Sequence, residues 1–428
     1  MISSLKRLWR DRRGNTLAVA GAALPLVLGS AGLASDTIQW TLWKRQLQRA
    51  ADSAAMAGVY AKASGNSVGT CTDVSGATYS NPVAYDVKKN LKLKIPPTCV
   101  LTNPPSSGTY ASDANAVRVA LTVSRKLSFS GLFMASAPTI RATALATVVP
   151  SGNYCVVSLE DQAVTGINAT GSTDVELGCG MITNSTSMTA AVATGSSEVT
   201  ASPIAAVGGI PASSHWGAGT VLQPFTLAQE DPFKNAPMPT PSSCSNAPNN
   251  QPNDPPLTIT NPTGTRCFKS TLDIKGTVTM EPGVYIFDGA NLSMNNTGAK
   301  LTCMGCTFIF TTSTTDMSKI GAPDINGGEI DLKAPDTGSY KGMIFYQDRR
   351  ADANNSIKIN GNNNSYLEGA FYFPRAELTF QGTAGMDSKC LQLVSKRVVF
   401  TGNSAITNNC PTGSGSSSFT GKRIRLVE

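Results

Sequence analysis

Few residues in this chain of 428 have the types and spacing that chemistry requires. Its one histidine, His215, lies in "SSHWGAG". Without a second histidine there is no His-based zinc triad, and a Ser/His/Asp nucleophile system would rest wholly on that ring. Trp216 and the adjacent glycines point to a surface loop. "CMGC", Cys303 to Cys306, has the CxxC spacing of redox helices and of half a zinc knuckle. A second CxxC is absent and "KLTCMGCTFIF" is strand-like, so disulfide use is expected, either with each other or across coils of a stacked fold. β-Helix enzymes acting on polysaccharides use clustered carboxylates, sometimes with Ca²⁺ or a basic proton acceptor. Asp324, Glu329, Asp331, Asp348, Arg349, Arg350 and Glu377 are the residues that suit such a cluster. The best of them is "YQDRR", where a carboxylate follows a strand beside two guanidiniums. A solvated turn with an ion pair of ~0 to 1 kcal/mol has the same pattern and is the expected reading. No P-loop occurs, which excludes ATP hydrolysis of that type. No catalytic residue, cofactor or metal site is expected.

The elements that hold these residues follow from composition. Charged residues are only 15% of the chain, while Gly, Ser, Thr and Asn abound, which favours turn-rich β structure. The net charge of +7 comes largely from Lys6, Arg7, Arg10, Arg12 and Arg13. No comparable basic face recurs downstream, so nucleic acid is not an expected partner. The ten cysteines form sequence-local pairs: Cys71/Cys99, Cys155/Cys179, Cys244/Cys267, Cys303/Cys306 and Cys390/Cys410. An even count reads as disulfides in an oxidising compartment, with connectivity that sequence alone leaves open.

Thr16 to Ala34 carries no charge and, at the helical rise, is ~28 Å long, about one hydrocarbon thickness. Thr16, Leu17, Leu24, Pro25, Leu26, Val27, Leu28, Leu33 and Ala34 are the lipid-facing candidates. The basic flank before it and Asp36 after it place the N-terminus in the cytoplasm by the positive-inside rule. A cleaved secretory signal is the alternative, since "GLAS" offers small residues. Against that, the apolar run outlasts an ordinary signal and continues into a helical pattern. Asp36, Trp40, Trp43, Leu47, Ala50, Ala54, Ala57 and Ala61 recur at alternating steps of 4 and 3, a heptad seam. Its alanine half admits a close neighbour, either the protein's own next domain or a like helix.

"RRGN", a Pro-containing apolar run, "GLASD" and "LQRAADSAAMAG" together resemble the N-terminus of the TadE/TadG-like proteins of tight-adherence (Flp-type) pilus systems. The resemblance covers Arg12 to Tyr60. It implies a membrane-anchored or minor-pilin-like component that supports pilus assembly and adhesion, placed in the inner membrane with its body periplasmic or surface-associated. Its implied partners are inner-membrane lipid, other pilus-assembly or pilin helices, and surface glycans. Processed members carry a Glu five residues after the cleavage-site Gly; Val19 stands there after Gly14, so the uncleaved TadG-like members compare best. The metal loop Asp-x-Ser-x-Ser of some members is replaced by "DVSGA" from Asp73.

Beyond the helix, "AVRVALTVSRKLSF" alternates with period two and "TIRATALATVV" follows it, giving two strands of a small α+β unit. From Asn153 onward short apolar runs alternate with turn formers. "ATGSTDV" at Ala169 returns as "ATGSSEV" 24 residues later, the length of one coil of a parallel solenoid. "GVYIFDG", "CTFIFTT", "GMIFYQD", "GAFYFPR" and "KRVVFTGNS" continue the pattern, with Asn-rich turns suited to ladders; a sandwich is the alternative. The expected fold is mainly β with a long N-terminal α-helix: residues 1–15 basic, 16–34 transmembrane, 35–64 amphipathic, 65–150 α+β, and 151–428 β-solenoid-like, with a Pro-rich crossing at 224–262 and a last strand at "RIRLV". Two functions fit: a non-enzymatic pilus-assembly component, or a membrane-tethered polysaccharide-binding or polysaccharide-cleaving β-helix.

Overall fold

The computed structural model describes residues 14–91, 96–353, 355–362, 364–381, 387–402, 405–407 and 417–427, with side chains absent from the description at 14–18, 387–389 and 405–407. Two compact units result. One comprises the chain to Val149 together with Ile424–Glu428, and the other Pro150–Arg423. The C-terminal residues therefore belong to the small unit and not, as the sequence suggests, to the β-rich domain.

The small unit is built on one uninterrupted helix, α1 (Gly14–Ala63), which continues through Pro25. It stops where glycine allows a left-handed turn. Gly65 has φ +78°, its N–H donates to Lys62 O at 3.0 Å, and the Asn66 N–H donates to Ala61 O at 2.8 Å. Helix α2 (Pro82–Asn90) and strands β1 (Thr98–Thr102) and β2 (Val117–Ser124) follow. β3 (Thr139–Ser158) completes an antiparallel sheet with its first half, Ser124 facing Thr139 and Val117 facing Ala146. The period-two reading of β2 holds: Val117, Val119, Leu121 and Val123 point into one core with Leu47, Ala50, Ala54 and Val59 of α1. Gly58 makes that contact possible, since a Cβ there would meet Val117 and Val83 at 2.9 Å. Cys71–Cys99 ties the unit together, and the Val427 N–H donates to Leu145 O at 2.9 Å.

The large unit is a stack of parallel strands, with the coil-on-coil pairing of a solenoid and not the antiparallel hairpins of a sandwich. Along one wall, Thr265–Phe268, Gly283–Asp288, Cys306–Thr311, Met343–Gln347, the middle of Tyr366–Gln381 and Asp387–Phe400 pair successively. The second half of β3 then joins the same wall, Val156–Ser158 facing Leu393–Ser395, and Gly180–Thr183, Ile204–Ala206 and Leu222–Gln223 extend it. The chain thus enters its own stack in the middle. It runs out to one end and returns through the Pro-rich segment to the other.

Residues of this wall alternate between two buried layers. Tyr285, Phe308, Phe345 and Phe371 are in register and form an inner aromatic ladder with centroid separations of 5.8, 5.6 and 4.9 Å. Their neighbours Ile309, Tyr346, Tyr372, Val394, Val157 and Ile182 face outward into a second layer, packed under Phe233, Ala236 and Met238 of the crossing. Burial on both faces is why "MIFY" and "AFYF" read as continuous apolar runs. The 24-residue repeat is real: Ala169 pairs with Ala193, and Asp174–Glu176 with Glu198–Thr200. Asn295 and Asn326, on successive coils, share a side-chain hydrogen bond of 2.9 Å.

Phe308→Ala removes the centre of the inner ladder and is expected to destabilise the protein by about 3–5 kcal/mol, whereas Met304→Ala, at an exposed corner, stays within about 0.5 kcal/mol. Urea unfolding of the full chain followed by circular dichroism measures both.

Candidate functional site

Most of the first half of α1 is bare. Val19, Leu24, Leu26, Val27, Leu28 and Leu33 each expose more than half of their surface, and Ala34 is also exposed. The helix positions of Thr16 and Leu17 are described, their side chains are not. Among the described residues this helix is the one long and apolar enough to cross a membrane. Residues 1–13, with the basic flank, lie outside the described residues.

Asp36 marks the change. It is only 3% exposed, and its carboxylate accepts hydrogen bonds from the backbone N–H groups of Phe129 and Ser130 at 2.9 and 2.5 Å. Those residues belong to the loop between β2 and β3, whose amides at a short 3₁₀ turn (Ser130–Leu132) have no strand partner. A carboxylate is the natural acceptor for adjacent free N–H groups. Further contacts climb the helix in order. Phe129 packs where a Cβ on Gly32 would stand, Ser128 donates to Gln39 at 3.2 Å, and the Arg125 guanidinium lies 4.7 Å from the Trp43 ring centroid. Lys44 donates to Arg141 O, and Gln48 donates to Thr143 O at 2.9 Å. The sequence placed Asp36 on a docking seam; the structure makes it the acceptor that holds a loop of its own chain.

Of the two neighbours open to the alanine half of the seam, the protein's own domain is the one found. Leu47, Ala50 and Ala54 are fully buried, but against β2 and α2 of the same unit, so this half is not free for like helices. Trp40 is 43% exposed, Trp43 and Ala57 are half-buried, and the buried stripe moves to Ala51, Ala55, Gly58 and Val59. An ideal α-helix drifts about 20° per heptad from a strict seven-residue repeat, and the buried positions follow that drift.

The residues considered for chemistry have partners within the fold, and Glu329 and Asp331, on one strand, share a single cation, Lys300. His215 lies in a turn of an irregular surface stretch, half-buried, its Nδ1 2.9 Å from Ser197 O, and Trp216 bridges Val199 while donating to Pro211 O at 2.9 Å. Cys303 and Cys306 are bonded to each other around Gly305, and Cys155–Cys179 and Cys244–Cys267 form as paired in sequence. Cys390 is disulfide-bonded; Cys410, its expected mate, lies outside the described residues. Lys300 bridges Glu329 and Asp331, Arg397 bridges Glu377 and Glu160, and Asp324 accepts from Asn295 and Asn326. No group of three or more metal-ligating side chains occurs among the described residues.

"YQDRR" splits in two. Arg350 pairs with Asp348 at 2.6 Å, and Asp348 also accepts from Thr311 Oγ1 at 2.7 Å. Burial pushes the Asp348 carboxyl up, but its donors Arg350 and Thr311 outweigh that and leave its pKa below the ordinary 3.8. Arg349 is no solvated turn residue. It donates to Tyr372 and Tyr346 hydroxyls at 2.9 Å, to Ala236 O at 3.2 Å and to Phe233 O, pinning the crossing to the wall. Tyr372 donates in turn to Asp231 at 2.6 Å. Burial pushes the Tyr346 phenol up to about 12, so it remains a donor, here to Ala236 O. Sequence reasoning missed Asp231 and Tyr372; nothing local marks them, since their partners lie far along the chain.

The helix and its clamp define a class: a membrane-length helix whose distal half is the spine of a small α+β unit, carrying a large parallel-sheet domain. Residues 14–63, the whole of α1, match the Tad family model, described as Flp pilus-assembly TadE/G-like. Over those residues the N-terminal helix is similar to TadE/G-like pilus-assembly proteins. No curated protein and no solved structure matches the chain.

Asp36→Ala is expected to release the loop: hydrogen exchange at the Phe129 and Ser130 amides accelerates at least roughly tenfold, while exchange in the aromatic ladder is unchanged. Asp348 gives a pH signature. Its pKa is depressed on folding, so the stability it contributes is complete above the unfolded value of about 3.8 and is lost as pH falls through the lower folded value. Acid unfolding of Asp348→Asn should lack that part of the transition.

Proposed function

We propose that this protein is a membrane-anchored component of Flp (tight-adherence) pilus assembly: single-pass in the inner membrane, N-terminus cytoplasmic, body on the far side, uncleaved in the manner of TadG-like members and minor-pilin-like in its support of adhesion. The observation that carries this reading is α1. Its whole length matches the pilus-assembly family, its first half is apolar and uncovered, and its second half is built into a folded unit. A span whose continuation is the spine of a domain holds that domain at a fixed distance from the membrane.

The reading is of a physical role and not a catalytic one. The carboxylates considered for polysaccharide cleavage each have a cation or amide neighbour, which favours a scaffold over a glycosidase pair, although Asp324, Glu329, Asp331 and Asp348 share one coil. Disulfides in both units suit an oxidising compartment. Contacts with other pilus-assembly helices fall to the bare half of α1, because the alanine half is covered by its own unit. Lipid is the first partner, and surface glycans are the class of target for the β domain.

The test is to fractionate cells carrying a C-terminally tagged copy. Full-length protein is expected in the inner membrane, resistant to alkaline carbonate. A soluble product beginning near Ser35 overturns the anchor, and a species starting after Gly14 and sheared off with fibres overturns the uncleaved reading.

A further inference from the structure

The loop between β2 and β3 is apolar, and its tip is uncovered. Leu132 and Phe133 are 77% and 76% exposed and Met134 is 45% exposed, three adjacent large apolar side chains facing water. From Leu127 to Ile140 the chain carries no charge. Phe129 braces the tip from behind, its ring 5.4 Å from that of Phe133 and edge-on to it. An exposed apolar cluster held in this way marks an interaction surface.

Its position along α1 says what covers it. Phe129 packs at Gly32, a position inside the apolar span, and Asp36 fixes the loop one turn further on. Between Gly14 and Trp43 the single charged side chain is Asp36, and the loop's own amides take up its carboxylate. Ile38, Trp40 and Leu42 of the helix are also exposed, at 62%, 43% and 51%. The next charges on both segments are all cationic: Lys44 and Arg45 on the helix, Arg125 and Lys126 before the loop, Arg141 after it. An apolar rim with an aromatic side chain, bounded by a ring of Lys and Arg, is the pattern of a membrane interface.

We propose that residues 127–138 insert into the outer interface of the same bilayer that α1 spans. Leu132, Phe133 and Met134 enter the boundary between acyl chains and headgroups, to the ~5–10 Å depth usual for interfacial segments. Arg125, Lys126, Lys44, Arg45 and Arg141 meet lipid phosphates. The bilayer surface then lies beyond Ala34, near Trp43, and the small unit stands directly on the membrane without a free stalk. The inference rests on α1 being a span, and the experiment separates the two.

The full chain, disulfides intact, is reconstituted in vesicles of zwitterionic and anionic phospholipid with an environment-sensitive fluorophore on a cysteine replacing Phe133, Val27 or Tyr79. Spin-labelled lipids act as quenchers, labelled either near the glycerol or near the chain ends. Phe133→Cys should show blue-shifted emission that loses most of its intensity to the shallow quencher and less to the deep one. Val27→Cys should show the reverse order, and Tyr79→Cys, 83% exposed on the same unit, no quenching. Leu132→Cys repeats the loop measurement at a neighbouring exposed site. If Val27→Cys is quenched and both loop positions are not, the loop proposal fails while the span stands. A blue shift at 133 without lipid quenching means a protein covers the tip and likewise overturns it. If Val27→Cys is also unquenched, the span fails and the loop proposal with it.

Discussion

The β body depends on one pairing, that of Val156–Ser158 with Leu393–Ser395. Two segments far apart in sequence are laid edge to edge, so the stack has its first coil in the middle and grows in both directions from it. The chain must therefore travel back along the stack between Gln223 and Leu257, and that requirement explains an otherwise odd segment. A return strand in a solenoid wall would add a coil; a return outside the wall must avoid pairing. Proline supplies that by withholding N–H donors. The carbonyls left without ladder partners then find side chains: Phe233 O and Ala236 O take Arg349, and the Gln229 carbonyl takes the Asn184 amide. Cys244–Cys267 closes the far end.

The small unit solves the same problem of unpaired backbone with one carboxylate. Its β2–β3 loop turns too sharply for its amides to join a sheet, and Asp36 accepts two of them. Placing that acceptor on a helix ties the loop to the helix at a fixed height. Gly32 and Gly58 serve the same end at two levels of α1, each leaving room for a side chain of the sheet or its loop to approach the helix backbone. The helix is consequently not a rod with a domain appended but one edge of that domain, extended beyond it.

Local signals carried much of this. The alternation of Val117 to Val123 gave a half-buried strand, the paired heptapeptides at Ala169 and Ala193 gave a coil, and the cysteine spacings proved to be coil spacings, since separations of 24 and 23 residues bring Cys155 to Cys179 and Cys244 to Cys267 on adjacent turns. Other features were hidden for a physical reason: they depend on which coil lies next to which. No property of "NYCVVS" says that it stacks on "LQLVS", and without that the crossing has no known path. Arg349 then looks like a solvated turn residue, because its partners, Phe233, Ala236, Tyr346 and Tyr372, are assembled by the stack. Asp36 was noticed as part of a family pattern, but its ligands are amides more than ninety residues away, and amides leave no mark in a sequence.

The heptad seam on α1 allowed two neighbours over its alanine half, and the protein's own unit is the one that covers it. Trp40, Trp43, Leu47, Ala50 and Ala54 do repeat as a supercoiling helix requires, and such a seam would face another helix along its whole length. Supercoiling needs a partner helix that coils in return, and here the neighbour over Leu47 to Val59 is a sheet with a short helix beside it. Against that neighbour the buried stripe drifts round to Ala51, Ala55, Gly58 and Val59, and Trp40 stands outside the core at the level of the β2–β3 loop. Trp40, Ile38 and Leu42 are all exposed at the point where the helix leaves its domain. The distal half of α1 thus packs a protein core, while the proximal half leaves an apolar surface largely uncovered.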